Sequence, residues 1–245
     1  MEVGTQMPIF IRITKITLIT LISLFTLLVL GLFIYTKDSY RPSEDMIEEI
    51  NQGSLEGLTF INDFDQISYK VEAPRKNIVI IPGGKVKPES YQYLALFFVY
   101  DGYDVTIVKT LFNLAILTPN YGARFLKDDM DNVVIGHSLG GTVGSMISSN
   151  DSRVSEIIFL ASYPIADVSN KRVLIITAEF DLILDKNDIF DSEDLLPDDY
   201  LLVDIPGGNH AQFGWYGVQK GDGEALITTK TQQNLIISEV LSFIM

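Results

Sequence analysis

The stretch Gly136-His137-Ser138-Leu139-Gly140 constrains this chain more than any other. The residues before it, Asn132-Val133-Val134-Ile135, read as a buried strand, and Gly141 to Ile147 read as the start of a helix. A serine at such a junction sits on a sharp turn in a strained backbone conformation. The residues two before and two after it must be small, because side chains there would strike the facing strand and helix. Gly136 and Gly140 meet that demand. The hydroxyl is then exposed at a helix N-terminus, where backbone N–H groups and the helix dipole favour negative charge. The same pentapeptide also arises as an ordinary glycine-rich turn, so the rest of the chain must decide.

The chain has two histidines. His137 lies next to Ser138 and points its side chain away from it. His210 is therefore the candidate base; it follows the apolar run Tyr200 to Ile205 and sits in the loop Pro206-Gly207-Gly208-Asn209-His210. An imidazole takes and returns a proton near neutral pH. Between Ser138 and His210, a further buried strand, Val173 to Ala178, runs into an acidic loop. Asp181 is the choice of carboxylate to orient the imidazole and stabilise its protonated form, with Glu179, Asp185 and Asp188 as rivals. Each of the three residues follows its own strand, at the carboxyl edge of a parallel sheet, where open α/β sheets bind ligands. A developing oxyanion needs two backbone donors. Leu139 offers one. The junction Ile81-Pro82-Gly83-Gly84-Lys85 offers the other, through Gly84 first and Lys85 second.

The set Pro82-Gly83-Gly84, Gly136-His137-Ser138-Leu139-Gly140-Gly141, Asp181 and Asn209-His210-Ala211-Gln212-Phe213-Gly214 resembles the α/β-hydrolase superfamily, and more narrowly small bacterial serine hydrolases with one N-terminal membrane segment. The segment Tyr216 to Gly223 is similar to that group as well. The resemblance runs from Ile78 to the C-terminus. It implies an α/β-hydrolase fold, with Ser138 as nucleophile, His210 as base and Asp181 as acid. Pro82 and Gly83 stand where many esterases carry a histidine-glycine pair, which leaves the oxyanion donor open between Gly84 and Lys85.

Ile16 to Thr36 holds no charged residue. As a helix, 21 residues at 1.5 Å each span about 32 Å, enough to cross a bilayer core. The run exceeds the apolar region of a signal peptide, and no alanine occurs before Ala73 to form a cleavage site, so an uncleaved anchor is favoured over a cleaved signal. Arg12 and Lys15 precede the span, and Lys37 and Arg41 follow it. The balance of cations is even, and the short tail favours an inside N-terminus with the remaining domain outside the cell membrane. The expected organisation is a tail at 1–15, an anchor at 16–36, a linker at 37–45 and one α/β domain at 46–245.

The absence of cysteine excludes disulfides and thiolate metal sites, and two histidines do not build a histidine-rich zinc site. No cofactor and no metal are implied; the aspartates between Asp185 and Asp199 read as an acidic solvated loop rather than a calcium site. The net charge is −14; removing Glu2, Arg12 and Lys15 (together +1) leaves −15 on the rest, which argues against nucleic-acid partners. Within the domain, a helix is expected at 46–58, two short strands between 58 and 73, strands at 77–82, 104–109, 132–136, 156–161, 173–178 and 200–205, and helices at 88–101, 111–127, 139–149 and 231–245. Strands alternating with helices imply a mostly parallel sheet with helices on both faces. The ten or so residues between Ser162 and Val173 leave no room for a lid, so a shallow, open site is expected, with Tyr163, Phe213, Trp215 and Tyr216 as candidate walls. The substrate expected is a small-molecule or lipid-like carboxylic ester. An acyltransferase on lipid or cell-wall material and a non-catalytic binding module are the alternatives. The oligomeric state is not readable from the sequence.

Overall fold

The computed structural model describes residues 9–51, 53 and 56–245, and the chain divides between Asp38 and Ser39 into two compact units. Residues 1–8 of the expected tail, and residues 52, 54 and 55 of the helix expected at 46–58, lie outside the described residues. The first unit carries helix α1 (Ile9–Thr36). Within it, Ile13–Thr36 is long and apolar enough to cross a membrane, with a mean hydropathy of 2.6 over an 18-residue window. Four of its threonines bond within the helix: the hydroxyls of Thr14, Thr20, Thr26 and Thr36 each donate to the carbonyl four residues back. No such hydroxyl then needs water, as a bilayer core requires.

The second unit is built on an eight-stranded sheet of order β1-β2-β4-β3-β5-β6-β7-β8. The strands are β1 (Thr59–Asn62), β2 (Gln66–Lys70), β3 (Asn77–Ile81), β4 (Asp104–Val108), β5 (Asn132–His137), β6 (Val154–Leu160), β7 (Arg172–Ala178) and β8 (Leu201–Ile205). β1 and β2 pair antiparallel at one edge, and all pairings from β4 to β8 are parallel. Side chains alternate between the two faces. Ile78, Ile80, Val133, Ile135, Leu174 and Ile176 pack with α2 (Glu44–Ile50), α3 (Gln92–Tyr100) and α6 (Thr229–Ile244). Val79, Ile81, Val134, Ile157, Val173 and Ile175 face the other way, toward α4 (Leu139–Asn150) and the short α5 (Asn187–Asp191). With both faces covered, these strands are near-continuous apolar runs.

One expected helix is absent. Residues 111–127 form three short 3₁₀ turns, Leu111–Asn113, Ala115–Leu117 and Tyr121–Phe125. Phe112 and Asn113 take left-handed backbone angles (φ 55° and 54°), and Pro119 keeps Thr118 out of the α region (φ −141°). The helix expected at 46–58 is shorter, Glu44–Ile50, and that at 88–101 begins as a 3₁₀ turn, Pro88–Tyr91. Residues 161–171, between β6 and β7, carry no helix.

A buried polar chain ties the sheet to α3's approach. Gly83 N–H donates to the Tyr91 hydroxyl (2.9 Å), which lies 2.7 Å from Nδ1 of His137, the last residue of β5. The buried hydroxyl accepts from Gly83 and has Nδ1 as the acceptor for its own proton, and with Nε2 facing the His210 backbone this assigns the His137 proton to Nε2. Nε2 faces the backbone of His210 without a hydrogen bond of good geometry. Burial, then the neighbouring His210, holds His137 well below the ordinary imidazole value. Such a group stays neutral in the folded chain while its unfolded counterpart protonates below about pH 6.5, so its stabilising effect is complete above that pH and declines as pH falls, at up to about 1.4 kcal/mol per unit. Between pH 7 and pH 5, the parent should therefore lose about 2 kcal/mol more than His137→Gln. Urea titrations at both pH values check this; equal losses in the two proteins would contradict it.

Candidate active site

The junction from β5 into α4 leaves no clearance. A Cβ at Gly136 would stand 2.4 Å from Gly141 Cα, and one at Gly140 would stand 2.1 Å from the Ile81 carbonyl oxygen. Gly141 is equally tight, 2.4 Å from Ser162 Oγ, a requirement the pentapeptide alone does not express. Ser138 between them has φ 51° and ψ −124°, a left-handed conformation that a residue with a side chain holds only when its surroundings enforce it. Here Ser138 N–H donates to Leu160 O (2.9 Å), and Ser162 Oγ donates to Ser138 O (2.7 Å).

Asp181 and His210, 29 residues apart in sequence, meet at the carboxyl edge. His210 Nδ1 lies 2.8 Å from Asp181 Oδ2, with the imidazole side chain 2% exposed and the carboxylate fully buried. The other carboxylate oxygen accepts from Ile183 N–H (2.8 Å) and Leu184 N–H (2.9 Å). An acceptor so anchored keeps the proton on Nδ1 and leaves Nε2 as the basic nitrogen. The rivals do other work. Glu179 accepts from Gly207 N–H (2.9 Å), and Asp185 accepts from the backbone and side chain of Asn187. Asp188 and Asp185 line the cleft beside Ser138 without a bond to His210.

Ser138 and His210 line one cleft of about 280 Å³ together with Leu139, Thr142, Tyr163 and Ile183. Tyr163 is thus a wall, as expected. Phe213, Trp215 and Tyr216 are not: all three are buried in the core, with Trp215 edge-on to Tyr93 (4.8 Å) and donating to Asp45 (3.1 Å). They stiffen the histidine loop from beneath.

Hydrogen-bond accounting separates the two oxyanion candidates. Gly83 N–H is taken by Tyr91 and Lys85 N–H by the Asn113 carbonyl (2.8 Å). Gly84 N–H, between them, carries no such bond among the described residues. Gly84 also packs on the elbow, its Cβ position 3.1 Å from Leu139 Cδ2. Leu139 is the first residue of α4, and helix geometry leaves its N–H without an acceptor in the helix.

Asp222 is a residue the sequence reading missed. One carboxylate oxygen accepts from Leu182 N–H (3.3 Å) and Gly223 N–H (2.8 Å), and the other from Ala211 N–H (2.8 Å). It therefore clips the acid loop to the histidine loop. The signal was the turn Gly221-Asp222-Gly223. Gly223 is required there because a Cβ would meet the Phe180 carbonyl oxygen at 2.1 Å.

A model of the alpha/beta hydrolase family matches residues 77–234, more than half of the chain. No curated protein matches it. Among solved structures it is similar to the ferulic acid esterase of Streptomyces cinnamoneus, at 17% identity over 71% of this chain and 67% of that one, with a TM-score of 0.59. It is also similar to the Pyrobaculum calidifontis esterase, at 13% identity over 80% and 89% with a TM-score of 0.55. A thermophilic esterase of Thermogutta terrifontis matches at 12% identity over 79% and 96%, with a TM-score of 0.54. At these identities the likenesses speak for the fold. The family match spans β3 to α6 and so takes in the elbow, the acid loop and the histidine loop: the chain belongs to the alpha/beta hydrolase family.

Proposed function

We propose that this protein is a membrane-anchored serine hydrolase acting on carboxylic esters, with the catalytic domain on the outer face of the cell membrane of a bacterium. The observation that carries the reading is the buried His210–Asp181 contact at 2.8 Å, with His210 and Ser138 lining one cleft. Ser138 Oγ attacks the ester carbonyl while His210 Nε2 takes its proton. The oxyanion is held by the N–H groups of Leu139 and Gly84, and the protonated imidazole, stabilised by Asp181, returns the proton to the departing alkoxide. Water, deprotonated by the same imidazole, then adds to the acyl-serine and releases the acid. The open cleft, with no helix between β6 and β7, admits that water and favours hydrolysis over acyl transfer to another alcohol. Helix α1, uncharged from Ile16 to Thr36 and followed by no small-residue cleavage site, supports an anchor rather than a removed signal.

Labelling of the full-length protein with a fluorophosphonate tests this. The parent should label; Ser138→Ala and His210→Ala should not, and Asp181→Asn should turn over a short aryl ester about 10⁴-fold more slowly than the parent. A folded parent that takes no label would overturn the reading.

The charge of the cleft gives a second test. Asp185 and Asp188 are the carboxylates lining it. A unit charge a few ångströms away in a wet cleft is worth about 1 kcal/mol, or about fivefold in rate. Cationic esters should be preferred over anionic ones of equal size, and Asp188→Asn should lower kcat/KM for a cationic ester about fivefold and raise it about fivefold for an anionic one without altering the rate on a neutral ester. An unchanged ratio would remove Asp188 from substrate selection.

A further inference from the structure

The chain enters the catalytic unit at the active site itself. Tyr40 forms a parallel bridge with Val86: its N–H donates to Lys85 O (2.7 Å), and its carbonyl accepts from Lys87 N–H (2.8 Å). Ser39 Oγ accepts from Asn113 Nδ2 (3.1 Å), on the loop that holds Lys85. On its other side, Tyr40 packs against Tyr216 (5.2 Å between rings), and Ser43 N–H donates to Trp215 O (3.1 Å), both on the segment after His210. Residues 39–43 are thus stitched between the oxyanion junction and the histidine loop. Thr36, the last residue of α1, is four residues from Tyr40. Four residues reach no more than about 14 Å, whatever the angle between the two units. An anchor ending at Thr36 is therefore joined to the second unit at the carboxyl edge of the sheet, where Tyr40 is bridged to Val86.

The loops at that same edge expose large apolar side chains. Phe64, in the β1–β2 turn beside the end of β4, is 86% exposed, and Leu111, after β4, is 54% exposed. Leu182, after β7, is 71% exposed, and Val218 and Leu226, after β8, are 93% and 75% exposed. In the strand order they stand on both sides of β5, Phe64 and Leu111 by β2 and β4, and Leu182, Val218 and Leu226 after β7 and β8. Single exposed apolar residues are ordinary, but a row of them along the one sheet edge at which the chain enters is what an interfacial surface presents.

Resting on the anchored-hydrolase reading above, we propose that the carboxyl edge seats on the bilayer and that the substrate is a long-chain ester held in that bilayer, entering the Ser138 cleft from the lipid surface. The acidic unit, at −15 from residue 39 onward, adds that the surface is zwitterionic rather than anionic.

The full chain, reconstituted in phosphatidylcholine vesicles, is assayed with 4-methylumbelliferyl palmitate partitioned into the bilayer and with 4-methylumbelliferyl acetate in water. The parent should float with the vesicles and cleave both. A variant combining Phe64→Asp, Leu111→Asp and Val218→Asp with a flexible Gly/Ser spacer of about 20 residues after Lys37 should lose palmitate cleavage by about tenfold or more and keep acetate cleavage. A parent that floats and cleaves acetate but not palmitate overturns the proposal, as does a variant whose palmitate-to-acetate ratio equals the parent's. A parent that stays off the vesicles fails the anchor, and one that cleaves neither ester and takes no fluorophosphonate fails the hydrolase reading; each takes this proposal with it.

Discussion

The contact between Gly140 and the end of β3 is the constraint on which the site depends. With the Ile81 carbonyl oxygen 2.1 Å from where a Cβ would stand, α4 begins directly against the strand that carries the oxyanion junction. Two consequences follow. Ser138 is forced into its left-handed conformation, at a cost on the order of 1–3 kcal/mol, which the bonds to Leu160 and from Ser162 help offset. Gly84 and Leu139, 55 residues apart, are brought together, a Cβ at Gly84 standing 3.1 Å from Leu139 Cδ2. The backbone of Ser138 and the approach of Gly84 to Leu139 are one packing event.

The other half of the site is held by polar bonds rather than close packing. The acid and histidine loops leave neighbouring strands, β7 and β8, but each is free to bend after its last ladder bond. Three devices hold them. Asp181 takes two backbone amides as well as His210. Asp222 bridges Leu182 and Ala211. Gln232, fully buried on α6, accepts from Asn209 N–H (2.9 Å) and donates to Asn209 O (2.9 Å). Each uses the fixed direction of a backbone group to set the position of His210. Tyr91 performs the same service across the site, since its hydroxyl joins the oxyanion junction at Gly83 to the end of β5 at His137.

Much of this was legible in the sequence, and the boundary has physical causes. β3, β5, β6 and β7 announce themselves as short apolar runs because both of their faces are covered. The elbow is legible because its sterics admit little besides glycine at two positions. The pairing of His210 with Asp181 follows from strand order and from the shortage of histidines. What stayed hidden depends on tertiary partners. The segment 111–127 has helical apolar spacing, but Pro119 and the left-handed pair Phe112-Asn113 break it into turns, in which the Asn113 carbonyl accepts from Lys85 N–H. Trp215 and Tyr216 read as cleft walls because aromatic residues near a catalytic histidine serve either purpose; only the presence of Tyr93, Asp45 and Tyr40 beneath them settles which. Asp222 gave no sign of its two partners because they arrive from segments 40 and 11 residues away.

The missing lid bears on how such a site handles its substrate. Residues 161–171 are irregular and short and hold no helix over the cleft, and Ser138 is half-buried. A lid ordinarily supplies an apolar wall and lowers the local dielectric, strengthening the oxyanion contacts. In this chain exposed apolar groups stand instead on the loops at the carboxyl edge, on Phe64, Leu111, Leu182, Val218 and Leu226. A surface of that kind is stable in water only as scattered side chains, and it gains most where an apolar phase meets it. Hydrocarbon from a bilayer would supply the same wall and the same low dielectric at the moment an acyl chain enters, and withdraw when the product leaves. The cost of keeping the cleft open in water is then small, because Asp181 and His210 are already buried by their own loops, and only Ser138, the two oxyanion amides and the Asp185–Asp188 rim await the substrate.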